Sequence, residues 1–211
     1  MKRRTLDNMF SAGSLSLALL LLVLGLVMTS NASFAKNYVR DQLGQQRITF
    51  KTSDALTAEE RKSDCLGKNA GLALTTGKQA ECYANEFIGL HVKSVANGQT
   101  YADLGEPQAV LRASVAEAAE SNDPTLSDLQ DKLIALTNQR ETLFKGETLR
   151  GLLLTSYGFS VFGVKGGQVA VVSYAVSALL ALLAIGGFLH ARRTPRDEEF
   201  GATKTRKLSA V

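Results

Sequence analysis

Charge disappears from this chain twice. Residues 11–35 and 166–191 contain no Asp, Glu, Lys or Arg, and roughly 130 mostly polar residues lie between them. A helix needs roughly 20 mainly apolar residues to cross about 30 Å of hydrocarbon, because its backbone polar groups must be satisfied within the segment. Both stretches are long enough. The first, with Leu19 to Leu22, Val23, Leu24, Leu26 and Val27, is apolar on all sides, the pattern of a lipid-facing helix rather than an amphipathic one. The second mixes Val171, Val172, Leu179, Leu182 and Leu183 with Ala175, Ser177, Ala178, Ala181, Ala184, Gly186 and Gly187. Small residues let helix backbones approach closely, so this span is expected to pack on another helix, with Gly186 and Gly187 as contacts to a partner.

The intervening region reads as helix. Residues 37–46 continue the first span, and residues 47–51, with Ile48 and Phe50 alternating, form a short extended stretch. Thr57 and Glu60 have the spacing of a capping box before a short helix leading to Cys65. Gly67, Gly71 and Gly77 mark a loose connection. Ala80, Tyr83, Ala84, Phe87, Ile88, His91, Val92 and Val95 then recur at spacings of three and four, one apolar face of a helix that ends at Asn97-Gly98. Glu106-Pro107 opens another helix and Asp123-Pro124 the longest, in which Leu126, Leu129, Leu133, Leu136 and Leu143 mark a bundle seam. Residues 151–164 are uncharged and rich in aromatics. They are short for a crossing and read as an interfacial segment with Tyr157 at headgroup level, the alternative being a buried part of the domain core. Gly166-Gly167 after Lys165 is read as a hinge into the membrane.

The fold class expected is therefore mainly α, two transmembrane helices flanking a helical extracytoplasmic domain. Residues 1–10 form a cytoplasmic N-terminus, 11–35 the first span and 36–150 the extracytoplasmic domain. Residues 151–165 are the interfacial segment and hinge, 166–191 the second span and 192–211 a disordered cytoplasmic tail. Orientation follows from Lys2, Arg3 and Arg4 before the first span and Arg192, Arg193 and Arg196 after the second. By the positive-inside rule both termini face the cytoplasm and the protein lies in the plasma membrane. Ser33-Phe34-Ala35 before Lys36 also has the small-x-small form of a signal-peptidase site. Retention is the expectation, because the apolar run is long for a signal peptide and continues into Tyr38, Val39 and Leu43.

The net charge of +4 conceals its distribution: from Lys36 to Lys165 there are 15 basic and 16 acidic residues, so the surplus sits at the two ends. Nucleic-acid binding is not supported; the basic ends serve topology and contact with anionic lipid. Cys65 and Cys82, the only cysteines, both fall in the middle domain. An even pair placed outside the cytoplasm points to a disulfide, against the alternative of two buried thiols.

Catalytic signatures are lacking. The sequence has no H-E-x-x-H, C-x-x-C, P-loop or G-x-S-x-G pattern, and no cofactor or metal is expected. His91 and His190 are expected on opposite sides of the membrane. In the polar stretch Gly98 to Asp103, Tyr101 is either a binding contact or the anchoring aromatic of a turn, and Tyr157 is a further candidate contact. The Tyr-Val-x-x-Gln-Leu segment from Tyr38, Asn97-Gly-Gln-Thr-Tyr-Ala-Asp103, Arg150-Gly-Leu-Leu-Leu and Tyr157-Gly-Phe resemble a group of uncharacterised actinobacterial two-span membrane proteins. Some members of that group carry the label of aromatic ring-opening dioxygenase. Non-haem iron chemistry of that kind uses two histidines and a carboxylate on one iron, which this sequence does not support.

The functional expectation is a non-enzymatic membrane protein whose partners are the bilayer and either another membrane protein or a second copy of itself. It would be an accessory or scaffolding component of a cell-envelope or membrane complex. The alternative is an extracytoplasmic sensor or ligand-binding module signalling through a separate partner.

Overall fold

The structure, a computed structural model, describes residues 2–196, 198 and 199. It is mainly helical. The helices are α1 (Arg3–Gln45), α2 (Asp64–Asn69), α3 (Gly77–Cys82), α4 (Gly89–Val95), α5 (Gly105–Ser121) and α6 (Leu126–Arg193); a 3₁₀ turn (Glu60–Lys62) precedes α2, and a π-helical turn (Tyr83–Ile88) joins α3 to α4. No strand forms among the described residues, only isolated bridges such as Thr49 with Ala73. The expected disorder of residues 192–211 falls mostly outside the described residues.

Two compact units divide the chain: unit 1 is Met1–Phe34 with Gly163–Val211, and unit 2 is Ala35–Phe162. In unit 1, α1 and α6 pair antiparallel along a stripe of small residues. Ser11, Ala18, Gly25 and Ala32 recur every seven residues on α1, and Ala170, Ser177, Ala184 and Ala191 do so on α6. A repeat of seven keeps one seam facing the partner helix along its length. Seven of these eight residues are buried, all but Ala32. The leucines and valines between them point outward: Leu20, Val171 and Leu182 are each 68% exposed.

In unit 2 the end of α1 supplies Val39 and Leu43 to a core completed by Phe50, Leu56, Leu66, Leu74, Ala80, Ala84, Ile88 and Leu153. The stretch after α1 is extended as expected and pairs with residues 71–74: Phe50 donates its N–H to the Leu72 carbonyl at 2.9 Å, and Leu74 to the Ile48 carbonyl at 2.9 Å. A smaller cluster joins Ala96, Leu104 and Leu143, with Leu136 packed against it. Of the leucine seam, only Leu143 is fully buried; Leu126, Leu129 and Leu133 are half-buried.

Two expectations are corrected. First, Gly166 and Gly167 form no hinge, since α6 runs without a break through both. They face the first helix at ordinary contact distance instead: a Cβ would lie 4.0 Å from the Ala32 methyl at Gly166 and 3.8 Å at Gly167. Residues 151–165 are accordingly part of that same helix. Second, the helix carrying the face from Ala80 to Val95 is not regular α-helix throughout, because a π turn interrupts it at Tyr83–Ile88. In the π turn Gly89 donates to the Ala84 carbonyl five residues back. The apolar face itself persists across this turn: Ala80, Ala84 and Ile88 are buried and Tyr83, Phe87, Val92 and Val95 pack on the two cores, while the His91 side chain is 52% exposed.

Candidate functional site

The polar centre of unit 2 is built around Glu60. Thr57 and Glu60 form the expected reciprocal cap: Glu60 donates its N–H to Thr57 Oγ1 at 3.2 Å, and Thr57 donates its own to Glu60 Oε2 at 2.8 Å. That turn folds the carboxylate inward, leaving its side chain 3% exposed. A buried carboxylate is costly unless paired. Lys51 supplies the pair, with Nζ at 2.9 and 3.2 Å from the two oxygens, and its ammonium also lies 5.1 Å from the Phe87 ring centre. Burial pushes the Glu60 carboxyl up, but the Lys51 hydrogen bond, the Thr57 N–H and the Lys51 charge outweigh it and hold the group below its usual range. Tyr83, on the same π turn, is pushed up by burial and by the Glu60 charge.

His91 completes the cluster from α4. Its Nδ1 lies 2.7 Å from the Phe87 carbonyl, which can only accept, so Nδ1 carries the hydrogen. Nε2 is left facing Glu60 Oε1 at 3.8 Å. In the neutral ring that nitrogen presents a lone pair to a carboxylate already held by Lys51 and Thr57. Lys51 and Thr57 thus tie the 3₁₀ turn to the extended stretch before it, and the carboxylate they hold is engaged rather than available as a base.

The residues singled out from sequence fall in separate places. Cys65 and Cys82 are disulfide-bonded, with Cα atoms 6.0 Å apart, tying α2 to the end of α3. Tyr101 sits in the turn before α5, which Asp103 closes by accepting from Thr100 N and Oγ1, both at 2.8 Å. The Arg140 guanidinium lies 4.1 Å from the Tyr101 ring centre, and Phe144 packs at 5.7 Å. Arg140 also bonds Gln108, which in turn donates to Thr137 at 2.7 Å, so this tyrosine anchors the turn between α4 and α5 on α6 while the residue stays 43% exposed. Tyr157 takes the Lys78 ammonium at 5.2 Å over its ring. Its backbone lies against Gly77, where a Cβ would sit 3.4 Å from Tyr157 Cα and 2.4 Å from Ser160 Cβ.

Gly187 meets α1 of its own chain: a Cβ there would lie 2.1 Å from Ser11 Oγ. Nothing lies within 4 Å of the corresponding point at Gly186. The helix partner expected for the second span is thus supplied within unit 1 by the first. Polar contacts reinforce the seam. Ser177 donates to the Ala18 carbonyl at 2.7 Å, Thr29 and Tyr174 bond at 3.0 Å, and His190 Nδ1 meets Asp7 at 3.0 Å. Gly25 makes room for the Tyr174 ring, whose nearest atom would be 2.6 Å from a Cβ.

Sequence reading missed the first span's half of this seam. Ser11, Ala18, Gly25 and Ala32 were visible at a spacing of seven, but hydropathy alone does not separate an alanine stripe from the leucines around it. It also missed Glu60 as a buried ion-pair partner, because Lys51 and His91 reach it from other elements. Among the described residues no group of three or more His, Cys, Asp or Glu side chains is placed to hold a metal ion. Comparison with protein-family models, with curated proteins and with solved structures returned no match to this chain.

Proposed function

We propose that the chain is an integral protein of the plasma membrane in which the paired α1 and α6 segments cross the bilayer with both termini cytoplasmic. Unit 2 is then a non-catalytic extracytoplasmic domain, an accessory or scaffolding component of a cell-envelope or membrane complex. One observation carries this reading: α1 and α6 are long and apolar enough to span, yet only 17% and 22% of their most hydrophobic windows are buried. Water-soluble proteins rarely expose contiguous apolar surface beyond a few hundred Å², whereas hydrocarbon solvates it. The packing agrees, because small residues on the inner face and branched apolar residues outside are what helix association in lipid favours.

Two further features support the orientation. The Cys65–Cys82 disulfide in unit 2 suits an oxidising compartment, and the basic residues beside the outer ends of both helices suit the cytoplasmic side. The shared seam also favours a retained first helix, since cleavage after Ala35 would strip Ala170, Ser177, Ala184 and Ala191 of their packing partner. Native mass spectrometry of the protein extracted in mild detergent tests the scaffolding role. A fixed-ratio assembly with a second membrane protein, or with further copies of the chain, is expected; a monomer in every detergent and at every concentration would overturn it.

A further inference from the structure

A cleft of about 310 Å³ lies beside the π-helical turn, bordered by Asn85, Gly89, Lys93, Gln99, Glu147 and Arg150. It lies wholly within unit 2. Arg150 dominates it. Its Nε is buried and finds no acceptor among the described residues, lying against Gly89, where a Cβ would be 3.9 Å away. Its terminal nitrogens meet only Asn85 Oδ1 at 3.3 Å and Glu147 Oε2 at 3.4 Å. Charge-assisted bonds of guanidinium normally run at about 2.7–2.9 Å, so the fork is held in position by packing while its hydrogen bonds stay long.

The donor inventory is lopsided. Arg150 brings five N–H groups and Lys93 three, whereas the only carboxylate on the cleft is Glu147. Two cations against one anion leave a single positive charge. The π turn contributes to the geometry, since the widened backbone carries both Asn85 and the Gly89 surface on which the guanidinium rests, and such turns recur at functional sites. The size of the cleft is at the small end for organic ligands.

We propose that this cleft binds a small monocarboxylate, its planar oxygens taking the two terminal nitrogens of Arg150 and its remaining contact coming from Lys93. A monoanion neutralises the cleft, and a planar two-oxygen acceptor matches the guanidinium better than a spherical ion does. This inference stands whether or not the scaffolding role holds, because it depends only on unit 2.

The test uses the full-length protein in detergent micelles with ¹⁵N-labelled arginine, following the guanidinium Nε–H signals by NMR during titration with acetate and with benzoate. Chloride at equal ionic strength and inorganic phosphate are the comparison arms. One arginine signal is expected to shift and saturate with either carboxylate. Lys93→Gln, an exposed position whose variant keeps the fold, is expected to weaken binding on the order of ten-fold; Lys132→Gln leaves it unchanged. Arg150→Lys keeps the charge and loses the fork, with a similar or larger loss. A response that never saturates, an unchanged affinity in Lys93→Gln, or tighter saturation by phosphate than by carboxylate overturns the proposal.

Discussion

Gly77 is where the packing of unit 2 makes its sharpest demand. As the first residue of α3 it has an ordinary helical backbone, and a glycine-to-alanine change at such a position normally stabilises by roughly 0.4–1 kcal/mol through the unfolded chain. Here the added Cβ would lie 1.9 Å from Ser160 Oγ and 2.4 Å from Ser160 Cβ. The hydroxyl can swing aside, but the Cβ is fixed to the backbone of α6, so α3 must retreat by about 1 Å to restore ordinary contact. That retreat pulls on the Thr76–Gln79 capping box, in which each side chain satisfies the other's backbone N–H. Overpacking of this kind costs about 1–3 kcal/mol, so Gly77→Ala is expected to destabilise, reversing the usual sign. Thermal unfolding of the full-length protein in mild detergent, followed by circular dichroism, reads the effect. Ser160→Gly removes both offending atoms and leaves Tyr157 Cα at 3.4 Å. It loses the Ser160 hydroxyl bond to the Tyr157 carbonyl and some helix propensity, roughly 1 kcal/mol together, yet in that background Gly77→Ala should cost at least about 1 kcal/mol less than in the wild type. A stabilising Gly77→Ala, or an equal cost in both backgrounds, would refute the close docking of α3 on α6.

Other perturbations have equally defined outcomes. Replacing Cys65 and Cys82 by serine opens a loop of 17 residues and should lower stability by about 3 kcal/mol in the chain-entropy model; reductant should act likewise on the wild type, and indifference to both would contradict the bridge's bracing role. Glu60 is held below its ordinary value of 4.5, so its ionised form stabilises the fold above that pH, and the contribution is lost as pH falls through the lower native value. Acid titration of unfolding should therefore be shallower below pH 4.5 in Glu60→Gln than in the wild type, and an unchanged profile would remove Glu60 from the account. Gly25→Ala forces the Tyr174 ring away from α1 and should cost about 1–3 kcal/mol; Thr29→Val, which deletes only the hydroxyl bonded to Tyr174, should cost about 0.6 kcal/mol, and the reverse ranking would contradict a seam held mainly by packing.

What the sequence disclosed depended on how local each cause was. The two long apolar helices, the Thr57–Glu60 cap and the extended pair-former at Ile48 and Phe50 follow from short patterns, and all appear. The disulfide followed from counting cysteines. The π turn was not legible, since Tyr83 to Ile88 has no residue that requires it and the next turn's burial decides the register. Gly166 and Gly167 were misread because glycine pairs often break a helix in water, whereas here they sit within a continuous helix that faces Met28 and Ala32 at ordinary contact distance. Gly187 was read as a contact to a partner, whereas it meets Ser11 at the far end of its own chain. Glu60 was recognised as a cap; that Lys51 and His91 converge on it depends on tertiary placement no short window contains.

The central claim, that α1 and α6 hold unit 2 outside the cell, is tested most directly by single-cysteine labelling. With the native cysteines paired, Lys132→Cys in unit 2 and Lys2→Cys beside α1 each provide one reactive thiol in cells expressing the full chain. A membrane-impermeant maleimide should label Lys132→Cys in intact cells and Lys2→Cys only after permeabilisation. Labelling of Lys2→Cys alone in intact cells, or of neither until the membrane is opened, would contradict the account.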